Sequence, residues 1–143
     1  MNNAIIDTNG VAFNNAVNLT LGGAGTSTIQ TGGANITQSG TVNGGEDFVL
    51  NAGAGSINLS GDAGGSTALT SLTATGATIQ TAGVTTTGNQ TYNGPQTTNG
   101  NLTATGAGAI QINNALTLGA DTVITTNSGD VTLASTVDGG EAF

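Results

Sequence analysis

Carboxylates are the only acid–base groups with which this chain could do chemistry. It has no Lys, Arg, His or Cys, and its net charge of -8 comes from eight acidic residues: Asp7, Glu46, Asp47, Asp62, Asp121, Asp130, Asp138 and Glu141. The chain therefore lacks an ordinary general base near neutral pH, a thiolate, and a guanidinium for an oxyanion. A carboxylate pair can cleave a glycosidic bond, but adjacent Glu46 and Asp47 would point to opposite faces of a strand, and the other acids are scattered. We expect no enzyme and no catalytic residue.

Calcium is the one cofactor that the acidic residues bring to mind. Seven of the eight acids lie in or beside Gly-rich turns, at positions 44–47, 61–62, 119–121, 129–130 and 138–141. Oxygen ligands from turns suit Ca²⁺, yet neither the EF-hand spacing nor the Gly-Gly-x-Gly-x-Asp repeat is present. We predict no cofactor-binding residue and no metal site, with calcium at these Gly/Asp turns as the alternative.

Threonine pairs and Asn-x-Ser/Thr triplets indicate two other kinds of surface. Ranked threonines could bind ice, but the Thr-x-Thr pairs do not recur at constant spacing and Thr also favours solvated strands; the pairs are 73/75, 85/87 and 103/105. Triplets that could carry sugar begin at Asn18, Asn35, Asn58, Asn89 and Asn101. With 17 Asn among 143 residues, 35 of which are Ser or Thr, composition alone gives about four such triplets, so no glycan is needed to explain them.

Charge and composition exclude several partners. A chain without Lys or Arg cannot displace counterions from nucleic acid, nor be drawn to an anionic membrane. No apolar run is long enough for a transmembrane helix, and no signal peptide is visible, so we expect an export signal to lie on a longer parent chain. Disulfides are excluded by the absence of Cys. The four aromatic residues, Phe13, Phe48, Tyr92 and Phe143, are expected to fill or cap the fold rather than bind a ligand.

The elements that must position these residues are short strands. With 25 Gly, 27 Thr and 17 Asn, the composition disfavours helices. Alternating segments recur between Gly, Asn, Asp and Ser turns, at 17–21, 27–30, 48–50, 56–60, 69–74, 78–81, 102–104, 109–112, 116–118, 123–125 and 131–133. In Asn-Leu-Thr or Asn-Leu-Ser triplets centred on Leu19, Leu59 and Leu102, the period of two predicts that Leu points inward and its neighbours outward.

Internal repetition indicates the architecture. Residues 28–44 align without gaps on residues 78–94 with nine of 17 positions identical, and residues 41–48 return as 136–143. Unequal offsets between shared units are expected when coils with loops of variable length stack in register. We predict one β-solenoid over residues 1–143, with about seven coils of roughly 20 residues. Its aliphatic ladders would comprise Ile29, Ile36, Ile57, Leu59, Leu72, Ile79, Leu102, Ile110, Leu116, Leu118, Ile124, Val131 and Leu133.

Three stretches carry a family resemblance: TGNQTYNG at 87–94, NLTATGAG at 101–108 and NNALTLGAD at 113–121. They resemble the β-strand repeats of giant bacterial surface and secreted proteins of the filamentous-haemagglutinin and autotransporter-adhesin kind. The resemblance implies an all-β right-handed parallel β-helix, export to the extracellular space or bacterial cell surface, and a role as stalk, biofilm-matrix component or adhesin.

These observations favour a structural or adhesive shaft segment, an excerpt of a longer repeat protein. Its partners would be neighbouring repeats or copies of itself, or host, surface or matrix polymers, with neither nucleic acid nor membrane insertion. The rival is a subunit that stacks head to tail into an extracellular filament, because a solenoid leaves a strand edge and an apolar cross-section open at each end. An ice-binding threonine face is a further alternative.

Overall fold

The computed structural model describes residues 1–143 and consists of short β-strands joined by turns. The nineteen strands are β1 (Ile5–Asp7), β2 (Phe13–Asn15), β3 (Leu19–Thr20), β4 (Thr26–Gln30), β5 (Ile36–Gln38), β6 (Val42–Asn43), β7 (Asp47–Asn51), β8 (Ser56–Leu59), β9 (Ser71–Thr75), β10 (Thr78–Thr81), β11 (Val84–Thr86), β12 (Gln90–Asn93), β13 (Gln96–Thr98), β14 (Leu102–Ala104), β15 (Ile110–Ile112), β16 (Leu116–Leu118), β17 (Ile124–Thr126), β18 (Val131–Leu133) and β19 (Val137–Asp138). There is no helix that could span a membrane.

The strands stack into three parallel faces that run the length of the molecule. Face 1 comprises β1, β4, β7, β9, β12, β15 and β18, and face 2 comprises β2, β5, β8, β10, β13, β16 and β19. Face 3 comprises β3, β6, β11, β14 and β17, with Ala63 bridging Val42 of β6 and Val84 of β11. All of these pairings are parallel, so the chain is a β-solenoid, as the sequence predicts.

Coil length varies while the register of the strands is kept. Partners along one inward column of face 1, which are Ile6, Ile29, Leu50, Ala74, Tyr92, Ile112 and Leu133, follow one another at 18 to 24 residues. The chain makes about six turns of roughly 21 residues, so its seven layers on faces 1 and 2 correspond to one coil fewer than predicted. At about 4.8 Å per layer, the rod is about 30 Å long.

The core is a stack of inward aliphatic residues, as predicted. Of the predicted ladder residues, ten are buried, from Ile29 through Leu118, and Ile124 and Leu133 are partly buried against the core. Val131 differs from the prediction because it is 42 % exposed although its partner Ile110 is fully buried. Val131 occupies the inward column, but it belongs to the last coil and no further coil covers it.

Polar residues also enter the core, which the aliphatic ladders did not predict. Gln38, Gln90, Gln96, Thr81, Thr86 and Thr98 are all buried. The coil from β11 to β13 has the largest share of them, because Gln90 and Tyr92 point inward from face 1 and Gln96 and Thr98 from face 2. The interior of the rod is therefore apolar at most levels and polar at this one.

The repeats in the sequence do not stack on one another. Residues 28–30 lie in β4 on face 1, whereas the matching residues 78–80 lie in β10 on face 2. Likewise, Val42 lies on face 3 and its counterpart Tyr92 on face 1. An offset of 50 residues corresponds to about two and one third turns, so the repeated unit is one strand with its turn, about a third of a coil.

Candidate functional site

The acidic side chains are separated along the rod, and each forms its own local contacts. Asp47 Oδ1 accepts a hydrogen bond from Ser71 Oγ at 2.6 Å, and Asp62 Oδ1 accepts one from the Gly83 N–H at 3.0 Å. Asp121 Oδ1 accepts the Ala142 N–H at 3.0 Å. No group of three acids is close enough to hold a metal ion. The Gly/Asp turns are therefore brought into the coil ladder rather than into one cluster.

Asp7 shows how such contacts affect a surface carboxylate. Its Oδ2 accepts a hydrogen bond from Gln30 Nε2 at 2.8 Å, and its Oδ1 accepts one from the Asn9 N–H at 2.9 Å. The Gln30 hydrogen bond, followed by that of Asn9, lowers the pKa of Asp7 below its ordinary value. The charged form of Asp7 thus ties β1 to β4.

Glu46 and Asp47 point to opposite sides, as predicted for neighbours in a strand. Asp47 faces the surface, whereas Glu46 is 1 % exposed. The Glu46 carboxylate accepts a hydrogen bond from Ser27 Oγ, and the Asn3 N–H lies 3.3 Å from both of its oxygens. Because these donors lie on the first two coils, Glu46 anchors the N-terminal residues to the rod and is not open to a substrate.

Asparagine side chains at the corners join consecutive coils. In each case the Oδ1 atom accepts a backbone N–H of the following coil at 2.8 to 3.3 Å; the pairs are Asn3 with Thr26, Asn18 with Thr41, Asn35 with Ser56, Asn43 with Ser66, Asn89 with Ala109, and Asn101 with Val123. Four of these asparagines begin predicted sugar-acceptor triplets. Their amides therefore have a structural role that the triplet pattern did not indicate.

A shallow polar groove lies where face 3 turns into face 1. The longest coil, which includes the loop 64–70, is followed by the shortest, so the corner recedes there. The groove has a volume of about 470 Å³ and is lined by Asp47, Thr70, Ser71, Thr73, Thr87, Gly88, Asn89, Thr91, Ala107 and Gly108. It contains no cation and no aromatic ring.

Most polar groups in this groove already have partners within the chain. Thr70 Oγ1 donates to the Gly45 carbonyl at 2.7 Å, and Asn89 Oδ1 accepts from the Ala109 N–H at 2.9 Å. Thr73 and Thr91 are paired neighbours on face 1 whose hydroxyls make no hydrogen bond within the chain. These two hydroxyls are the groups that the groove can offer to a ligand.

Threonines are also aligned on face 3, although their spacing in the sequence is irregular. Thr85, Thr103 and Thr125 are register partners in β11, β14 and β17. In the next outward position, the hydroxyls of Thr87 and Thr105 donate to the carbonyls of Leu69 and Thr86. The array therefore covers three layers, or about 10 Å, and only one of its columns has hydroxyls free of backbone contacts.

The four aromatic residues divide between interior and ends. Phe48 and Tyr92 are fully buried, which confirms that they fill coils, and Phe13 is partly buried against the core. Phe143 is 66 % exposed. Phe48 and Phe143 occupy the same place in a sequence repeat, but Phe48 is covered on both sides by coils, whereas Phe143 lies at the end of the rod.

Comparisons with known proteins identify no relative. No family model, no curated protein and no solved structure matches this chain.

Proposed function

We propose that the chain is a structural shaft segment of an extracellular bacterial surface or matrix protein, without catalytic activity. The observation that carries this proposal is that the polar chemistry of the rod is used to join its coils. Corner asparagines accept backbone N–H groups of the next coil, and the acids Asp7, Asp47 and Asp62 bind neighbouring coils as well. The likeness of its repeats to those of filamentous surface proteins supports the same role and the extracellular location.

Single-molecule pulling on the two ends of the chain tests the shaft role. Coils of roughly 21 residues, each extending to about 3.3–3.6 Å per residue, should release about 70 Å as they detach. We expect stepwise extension in multiples of this length because each coil contacts only its neighbours. Smooth extension without resistance, as for an unfolded chain, would contradict a load-bearing shaft.

Adhesion is the second part of the proposal, and the corner groove is where we assign it. Its free hydroxyls, Thr73 and Thr91, can exchange hydrogen bonds with a hydroxyl-rich polymer. The ligand would be a neutral polysaccharide, because Asp47 lines the groove and the chain has no Lys or Arg to attract a polyanion.

Affinity electrophoresis through gels containing a neutral polysaccharide tests this assignment. Retardation of the chain should be reduced by Thr91→Val, which removes one free hydroxyl from the groove. Thr28→Val is the matched control, because Thr28 lies outside the groove in the same outward column of face 1. Equal retardation of both variants and the unmodified chain would exclude the groove as the adhesive surface.

A further inference from the structure

The two ends of the rod expose inward side chains that no coil covers. Val131 and Val137 in the last coil are each 42 % exposed, whereas their partners Ile110 and Leu116 one coil earlier are 0 % and 1 % exposed. At the other end, Ile6 and Phe13 are only partly buried. We propose that the C-terminal end of one copy binds the N-terminal end of a second copy and continues its parallel sheets.

The free strand edges at the two ends are complementary in hydrogen bonding. The Ala4 carbonyl and the Thr8 N–H bond to the next coil, so Ile5 and Asp7 direct their backbone groups away from the rod. At the other end, the Asp130 carbonyl and the Ala134 N–H bond to the coil before, which leaves the backbone groups of Val131 and Leu133 free. When β18 meets β1 of a second copy, the Ile5 N–H can donate to Val131 and its carbonyl can accept from Leu133.

The same register brings apolar side chains together inside the rod. Extending the face 1 columns places Leu133 against Ile6 of the second copy, and Val131 against Ala4. On face 2, the column that ends at Val137 meets Phe13. The contact therefore covers the inward residues that are exposed in the isolated chain, and these are the residues whose burial drives association.

Charged residues at the junction lie opposite neutral ones in this register. Asp138 on face 2 meets Asn14, and Asp7 on face 1 meets Ala134. Asp130 follows Asn89 and Ala109 in its column, where Asn89 caps the N–H of the next coil. The side chain of Asp130 makes no hydrogen bond within the chain, and in the stack it lies next to Asn3.

The first and last residues do not obstruct this contact. Met1 lies beside Leu21 on face 3, because the Gly22 N–H donates to the Met1 carbonyl. The Ala142 carbonyl accepts the Thr122 N–H, also on face 3 but nearer the start of the strand. In the stack these two segments share one layer side by side. The N-terminal ammonium, the one cationic group of the chain, also lies at this layer.

Such a contact joins two different surfaces and does not close, so it extends into a filament. It does not depend on the proposed shaft role, because a shaft segment that never associates would still resist pulling. Repulsion between chains of net charge -8 opposes it, and salt reduces that repulsion. We therefore expect longer assemblies at about 1 M salt, where the Debye length is about 3 Å, than at about 0.15 M.

Sedimentation velocity of the purified chain over a concentration series tests the proposal with variants of each end. Val137→Asp places a charge on the C-terminal end. For the N-terminal end, Phe13→Asp places a charge in the contact, and Ile5→Pro removes a free edge N–H from a residue that is 72 % exposed. Val49→Asp is the matched control, because Val49 points outward in the middle of face 1. Circular dichroism identifies any variant that fails to fold.

We expect the unmodified chain and Val49→Asp to form assemblies that lengthen with concentration, and each end variant to sediment as a 13.7 kDa monomer. An equal mixture of an N-terminal and a C-terminal variant retains one working surface of each kind. It should therefore give a species of twice the monomer mass and nothing longer. Monomers of the unmodified chain at every salt and concentration would overturn the proposal, as would a mixture without the double-mass species.

Discussion

Each inward residue of the rod contacts its counterparts in the coil before and the coil after, so one substitution disturbs three coils. Leu102 is fully buried between Val84 and Ile124 on face 3. Glu46 shows that a carboxylate can be buried in this fold, but only where Ser27 and the Asn3 N–H provide donors. The column around Leu102 provides none, and the chain has no Lys or Arg to pair with a charge.

Leu102→Asp is therefore expected to abolish the cooperative melting of the chain, because a buried carboxylate without a partner costs several kcal/mol. Thr103→Asp is the control, since Thr103 is the next residue in the same strand and points outward. Thermal unfolding followed by circular dichroism compares the two. Melting of Leu102→Asp at the temperature of the unmodified chain would show that Leu102 does not point into the core.

Tyr92 provides a test of the polar level in the core. Its hydroxyl donates to Gln90 Oε1 at 2.8 Å, while Gln90 Nε2 donates to the Thr103 carbonyl at 2.9 Å. Burial raises the pKa of the Tyr92 hydroxyl well above its ordinary value of 10.0. Below pH 10 the folded and unfolded chains both hold this proton. Above pH 10 the unfolded chain releases it first, so stability falls as pH rises.

Stability should thus decrease above about pH 10 by up to about 1.4 kcal/mol per pH unit, until the folded chain also ionises. Tyr92→Phe should lose this dependence, because the chain has no other Tyr and no Lys or Cys that would titrate there. At pH 7 the same variant should be about 1–3 kcal/mol less stable, since Gln90 Oε1 loses its donor. Urea unfolding from about pH 7 to 12 measures both effects; parallel curves for the two proteins would contradict this account.

At the scale of the strand and its turn, the corner asparagines determine how one coil meets the next. Asn101→Ala removes the acceptor for the Val123 N–H and should cost about 1 kcal/mol, as loss of a helix cap does. Asn101→Asp keeps an acceptor at the same place and should cost less. Asn114→Ala should change stability by less than about 0.5 kcal/mol, because Asn114 is exposed and its side chain makes no hydrogen bond. Equal effects of both alanine variants on urea unfolding would contradict a role of the corners in stacking.

The strands themselves were predictable from sequence where inward residues are aliphatic. All eleven predicted segments overlap a strand, and the segments at 78–81, 102–104, 116–118 and 131–133 have the observed bounds. Strands with polar inward residues were missed, such as β12 with Gln90 and β13 with Gln96. Their side chains find partners in the neighbouring coils, for example Gln96 Nε2 with Thr81 Oγ1 at 2.9 Å. A period of two in hydrophobicity cannot reveal a partner that another coil supplies.

The positions of candidate site residues were less predictable, because they depend on coil length. Thr73 meets Thr91 after 18 residues, whereas Thr103 meets Thr125 after 22. A fixed period in the sequence would have missed one pair or the other. The corner groove likewise arises from a long coil followed by a short one, and its lining residues share no motif. The opposite directions of Glu46 and Asp47 were predictable because they depend on strand alternation alone.

At the scale of the whole molecule, the solenoid has no single centre, and its stability varies along its length. Inward residues of the middle coils, such as Leu50 and Ile79, are 0–1 % exposed. Their counterparts in the first and last coils are covered on one side only, including Phe13 and Val137. Because each coil is held by its neighbours, the end coils should open without the rest of the rod unfolding.

Hydrogen exchange should therefore be fastest in β1–β3 and β17–β19 and slowest in β7–β10. Loss of one covering coil that stabilises an end by about 1.4 kcal/mol would accelerate exchange about tenfold there. Mass spectrometry of peptic fragments at low protein concentration measures this gradient, and uniform protection along the chain would contradict it. Raising the concentration distinguishes an isolated rod from a stacked one. If copies associate end to end, protection should increase at both ends together while the middle coils stay unchanged, and Val137→Asp should abolish the increase at each end.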